Sequence, residues 1–264
     1  MADHRPKEEE EMPKIVLTGR VLPAAISVNV DGLGTINWKS PDIELEMAFD
    51  IRIKNSVVTI ECETNRFTPP DDVQEIWRRA FDLTRAAVDL IAFAQGRGLT
   101  VLIETLTDPT GVTSNIVAED AALGTLVTAI QLEKNFLEIW KIVATNPALF
   151  QALNDLVAGI ALPHQAAVNC ARVVEGLSHL IGGVGADAKA RWKALREALN
   201  LDRTYVQPIT DVSTDPRHGN RTHIPGGVLR PITTRSWVIM DRFLEYRRRG
   251  GAPLREPEFP LLKG

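Results

Sequence analysis

"DIELEMAFDIRIKNSVVTIECET" (residues 42–64) sets β-branched and other apolar residues in near-alternation with polar ones. That two-residue period marks strands with one buried face. The same pattern runs upstream through "KIVLTGRVLPAAISVNV" (14–30), separated from it by the turn-rich "DGLGTINWKSP" (31–41). Several antiparallel strands follow from this. "NRFTPPDD" (65–72) then breaks the pattern, and Asp71 or Asp72 is placed to cap a helix whose apolar positions are Ile76, Ala80, Leu83, Ala87, Leu90 and Ile91. "QGRG" (95–98) ends that helix with a glycine C-cap, and "LTVLIETLTDPTG" (99–111) is a further strand. Residues 14–118 are therefore expected to form a small α+β domain, an antiparallel sheet packed on one long helix, behind a disordered leader at 1–13.

From residue 119 the period becomes helical. Leu123, Leu126, Val127, Ile130, Phe136, Leu137, Trp140 and Val143 mark one or two helices, and "NPALFQALNDLVAGIAL" (146–162) another. Pro163 opens "HQAAVNCARVVEGLSHLIGG" (164–183), and Asp187 caps "DAKARWKALREALNL" (187–201). Prolines and glycines break the period across residues 202–231, which read as a loop; a last helix, "ITTRSWVIMDRFLEYRRR" (232–249), sets Trp237, Met240 and Leu244 on one face. Residues 119–250 are expected to be an all-α bundle and 251–264 a flexible tail. Trp140, Trp192 and Trp237 sit at core spacing and read as packing.

The 264 residues carry a formal charge of -4. The charge is uneven: residues 1–119 hold 12 basic and 20 acidic side chains, residues 120–264 hold 18 and 14. Residues 203–255 contain ten arginines, no lysine and four acids. Arginine bias suits bidentate contact with phosphate, so RNA or a nucleotide is an expected partner for the bundle; a solvated basic surface is the other explanation. Cys62 and Cys170 are far apart and read as reduced, apolar packing groups. The N-terminus "MADHRPKEEEEMPK" lacks the apolar stretch of a signal peptide, and no segment approaches the roughly 18 apolar residues of a membrane span; a cytoplasmic protein is expected.

Chemistry concentrates in "PRHGNRTHIPGG" (216–227). "RHGNRT" has the Arg-His-Gly order of the histidine phosphatases, but that motif follows the first strand of an α/β domain and needs further histidine and arginine downstream. Only 37 residues follow Gly227, none of them histidine, which excludes that fold. Zinc on His218 and His223 would need ligands that no recognisable spacing supplies. "GGVGADAKA" (182–190) lacks the preceding strand and the Lys-Ser/Thr pair of a phosphate loop and reads as a helix-to-helix turn. No cofactor or metal is implied.

Arg217, five residues, then His223, before the last helix of a bundle, resembles the R-x(4-6)-H motif of the HEPN family, over roughly residues 120–250. Upstream, Arg172, Glu175 and His179 are spaced to share a helical face, as a site would require and as a simple polar cluster would also produce. The resemblance implies a metal-independent endoribonuclease, in the toxin or antiviral-defence setting common in that family, acting as a homodimer in which two motifs form one site. In that reading Arg217 clamps the phosphate, His223 moves the proton, Glu175 orients either, and Arg172, His179 and Arg221 help hold substrate. His218, beside Arg217, is the alternative proton carrier. Such cleavage needs a base for the ribose 2'-OH, an acid for the leaving oxygen and positive charge at the phosphate. HEPN members hold the motif at the start of a helix, whereas here it is expected in a loop. A non-catalytic nucleotide- or protein-binding module is the alternative, with the N-terminal domain free to engage a protein partner.

Overall fold

Alternation at period two buries Ile15, Leu17 and Val21 on the same face as Met47, Phe49, Ile51 and Ile53, and that shared face organises the N-terminal half. The computed structural model describes residues 12–31, 33–41, 43–183, 185–220 and 224–264. The chain forms two compact units that divide between Val117 and Ala118, one residue from the expected boundary.

The first unit is a six-stranded antiparallel sheet: β1 (Lys14–Leu22), β2 (Thr35–Lys39), β3 (Glu46–Lys54), β4 (Val57–Thr64), β5 (Thr100–Thr107) and β6 (Thr113–Asn115), in the order β2-β3-β4-β1-β5-β6. The segment 31–41, expected as turn only, contains β2, which pairs Trp38 with Met47 at the sheet edge. A two-residue turn joins β3 to β4, with Asn55 and Ser56 both at positive φ, the geometry that matches strand twist.

One helix, α1 (Asp71–Gln95), packs on the buried face. Its core line runs in steps of four through Ile76, Ala80, Thr84 and Val88, not through Leu83, Ala87 and Leu90 as expected; Leu90 is 71% exposed. The sequence obscured this line because Thr84 counts as polar, yet its hydroxyl is satisfied by donating to the Ala80 carbonyl. Asp72 does not cap the helix: it accepts from the Thr68 amide at 2.6 Å, while Gly96, at positive φ, ends the helix as expected. Cys62 is fully buried on the sheet face it shares with Ile15 and Phe49, and burial pushes its thiol up to about 12, so it is an uncharged packing group.

β1 and β5 slip register between Thr18 and Gly19, leaving Glu104 without a partner opposite. A Cβ on Gly19 would lie 2.0 Å from the Leu102 carbonyl oxygen. Gly19→Ala is therefore expected to push β1 and β5 apart and cost about 2 kcal/mol, measured by urea denaturation. Wild-type stability in the variant would contradict the close approach.

The second unit is helical: α2 (Ala121–Gly124), α3 (Phe136–Ala144), α4 (Pro147–Ala161), α5 (Pro163–Gly182), α6 (Ala188–Leu199), α7 (Arg203–Arg217) and α8 (Gly226–Arg248). α5 is the hub, packed against α4, α6, α7 and α8, and it is apolar around most of its circumference for that reason. Gly159 of α4 lets that helix approach α5 at Ala166. Asp187 caps α6 as predicted, accepting from the Ala190 amide. Met240 and Leu244 are buried on α8 as expected, but Trp140 on α3 is 54% exposed and does not join the core.

Three expectations are corrected here. Residues 203–217 are helix, not loop: Val206, Ile209 and Ser213 recur at helical spacing on the buried face, and Asp202 caps the helix through the Thr204 amide. Pro208 deprives the Thr204 carbonyl of its intrahelical donor, and the Arg235 guanidinium of α8 donates to it instead, at 3.2 Å, and to the Tyr205 carbonyl at 3.1 Å. α8 likewise starts at Gly226, six residues before its expected start, with Pro231 inside it. The tail is docked, not flexible: Leu254 is buried, its amide donates to the Ala198 carbonyl, and Leu262 bridges Leu201. Among the described residues no helix is long and apolar enough to cross a membrane.

Candidate phosphate-binding groove

α6 carries Lys189, Trp192 and Arg196 at steps of three and four, which aligns them on one face. α7 aligns Arg203, Gln207 and Thr210 in the same way, with Asp211 beside them, and ends on Arg217. These faces, together with Glu175 of α5, line a cavity of about 510 Å³. It lies wholly within the helical unit. The hub position of α5 and the packing of α6 and α7 against it set the groove's floor.

Arg217 Nη1 donates to Glu175 Oε2 at 2.9 Å, so the structure brings together two of the residues singled out in the sequence. The others separate. Arg172 pairs with Asp155 of α4 at 3.1 Å and does not line the groove. Steps of three and four along a helix spread side chains across a broad arc, and the arc holding Arg172 and Glu175 is divided between α4 and α7 as neighbours. His179 is exposed and does not line the cavity. His218 is also exposed; its amide closes the end of α7 on the Thr214 and Asp215 carbonyls. Arg221 and His223 lie outside the described residues. Contrary to expectation, Arg217 closes a helix and does not sit within a long loop.

Four cations face the groove against two carboxylates, Glu175 and Asp211. Arg217 has Glu175, but Lys189, Arg196 and Arg203 form no ion pair among the described residues. The Thr204 hydroxyl holds down the carboxyl of Asp202, the cap of α7, and Arg196 is close enough to help; the cations still outnumber the two carboxylates in the groove, and an anion entering between them relieves their mutual repulsion. Guanidinium groups add paired donors that match phosphate oxygens. No histidine is among the described residues that line the groove, and its guanidinium and ammonium groups suit holding a phosphate.

Lys189, Trp192, Arg196 and Arg203 were not picked out in the sequence as site residues. The signal was available: Lys189, Trp192 and Arg196 form a stripe on a helix whose buried face is Leu195, Ala198 and Leu199. Arg203 is brought alongside only by the turn between α6 and α7.

The N-terminal domain model of DUF8168, a domain of unknown function, matches residues 15–117, and the corresponding C-terminal domain model matches residues 136–248. The chain belongs to the DUF8168 family. No curated protein and no solved structure matches it. The two DUF8168 spans fall one in each compact unit, and the C-terminal span contains the whole groove from Glu175 to Arg217. Among the described residues, no group of three or more histidine, cysteine or acidic side chains is arranged to hold a metal ion.

Proposed function

We propose that the C-terminal unit of this DUF8168 protein binds RNA through the groove between α5, α6 and α7. The observation that carries this reading is the convergence of Lys189, Arg196 and Arg203 on one cavity without ion-pair partners among the described residues. Arg217 is the fourth cation, and its Glu175 partner fixes it in place. Beyond the groove, arginines of the stretch 203–255 are engaged within the protein: Arg235 and Arg242 donate to backbone carbonyls, and Arg248 and Arg249 pair with Glu245.

Each phosphate neutralised by a basic side chain releases condensed counterions, so binding weakens with salt in proportion to the contacts made. The doubly substituted Arg196→Ala, Arg203→Ala protein is expected to bind RNA more than ten-fold more weakly at moderate salt. Its salt slope should fall by roughly one per arginine removed. Titration by fluorescence anisotropy over a salt series reads both quantities; unchanged affinity in a protein with wild-type circular dichroism overturns the proposal.

A second reading adds cleavage, and the Arg217–Glu175 pair favours it: a phosphate-clamping arginine held by a carboxylate, with His218 next in the chain. In this HEPN-type endoribonuclease His223 or His218 would carry the proton and a second copy would complete the site. Incubating RNA with the protein in EDTA, with Arg217→Ala and His223→Ala alongside, tests this. Products ending in 2',3'-cyclic phosphate and lost in both variants are the expected result. No cleavage by folded wild-type protein leaves binding as the function.

A further inference from the structure

We infer that the groove takes single-stranded RNA, with a base stacked on Trp192 while the flanking phosphates lie on Arg196, Arg203 and Lys189. This rests on the proposed RNA-binding role of the groove and specifies the form of RNA recognised.

Trp192 lines the cavity and is also packed against the hydrophobic core of the bundle. One part of the indole is thus held rigid by the protein interior while another part faces the groove. A ring fixed in this way loses little conformational freedom when something stacks on it, the condition under which aromatic platforms serve bases well. Lys189 and Arg196 flank it on α6, one turn before and one turn after. A rise of roughly 1.5 Å per residue spreads these three side chains over about 10 Å of groove. The order cation, aromatic, cation follows the repeat of single-stranded nucleic acid, in which charged linkages alternate with flat, apolar bases.

Trp192 is what argues for a single strand. In a duplex the bases are paired and stacked inside, where a side chain on a groove wall cannot reach their faces. A purely electrostatic site for duplex or for inorganic anions has no use for a large aromatic surface among its cations. The remaining polar side chains of the wall, Gln207, Thr210 and Asp211 on α7, offer donors and acceptors that a splayed base edge could use.

The test compares three probes on the full chain: a short oligoadenylate, the same strand in a duplex with its complement, and inorganic polyphosphate. Wild-type protein is expected to bind the single strand at least ten-fold more tightly than the duplex. Trp192→Ala should lower single-strand affinity about ten-fold while leaving polyphosphate affinity unchanged, and Trp192→Phe should keep most of it because a smaller ring still stacks. The phenylalanine variant also guards against loss of packing in the alanine one. If Trp192→Ala and Trp192→Phe bind the oligoadenylate like wild type, or the duplex binds as well as the single strand, stacking is overturned while the RNA-binding role of the groove stands. If wild-type protein binds none of the three probes, both fall together.

Discussion

Arg242→Met is expected to lower the stability of the chain by about 3 kcal/mol and to release its C-terminal tail. Arg242 is 7% exposed, and its guanidinium donates to three carbonyls: Leu199 at 2.9 Å, Asn200 at 3.0 Å and Pro260 at 2.8 Å. Two of these lie at the C-terminal end of α6, where carbonyls lack intrahelical donors and a cation is favourably placed. The third belongs to the docked tail. One side chain therefore joins α8, the end of α6 and the last residues of the chain. Burial pushes the pKa of this guanidinium down from its ordinary value, but arginine remains charged near neutral pH. Methionine keeps much of the aliphatic volume and supplies no donor, so the Leu199 and Pro260 carbonyls must find water or stay unpaired, while the Asn200 carbonyl keeps the Leu262 amide. Urea denaturation reads the loss, and tryptic cleavage after Arg255 reads the released tail. Stability within about 0.5 kcal/mol of wild type, with a protected tail, would show that the three bonds contribute little.

The neighbouring residue carries the second large effect. Asp241 is 7% exposed, and its Oδ1 accepts from the Thr128 and Ala129 amides, both at 2.8 Å, while its Oδ2 accepts from the Thr128 hydroxyl at 2.6 Å. This carboxylate anchors the chain between α2 and α3 onto α8. Asp241→Ala is expected to cost about 3 kcal/mol, because it leaves two backbone N–H groups unpaired where Ala129 is itself buried. Asp241→Asn should cost distinctly less, since its carbonyl oxygen can accept from both amides and the Thr128 hydroxyl can turn to accept from the new NH₂ group. The order wild type, Asn, Ala in urea midpoints, with faster amide exchange at Thr128 and Ala129 in the alanine variant, is the expected result. Equal loss in both variants would locate the effect in charge and not in these hydrogen bonds.

Neither effect could be read from the sequence, where Asp241 and Arg242 are two charged residues in a helix otherwise read by its apolar face. Their partners lie far away in the chain, at Thr128 and at Pro260. The candidate site shows the same division. Arg217 was picked out from the motif and Glu175 from helical spacing, and the two are in contact, 42 residues apart. Arg172 and His179 were picked out by the same spacing and do not line the groove, because spacing along α5 does not say which neighbouring helix each part of its face will meet. Trp192 was read as packing and does pack, but it lines the groove as well.

The sequence by itself determined the elements that local patterns control. Period-two burial defined the sheet from Ile15 to Leu106, the change of period set the boundary near Val117, and Asp187 and Gly96 terminated helices through contacts within a few residues. Each of these depends on side chains and backbone groups close together in the chain. The tertiary structure alone decided that residues 203–217 are helical, because the donor that replaces the missing N–H of Pro208 comes from Arg235 on another helix. It alone decided that the tail is docked, through Arg242 and the edge formed by Asn200 and Leu201. The groove has the same origin: Arg196 and Arg203 belong to different helices, and only the packing of α6 and α7 on α5 brings their charges to one cavity.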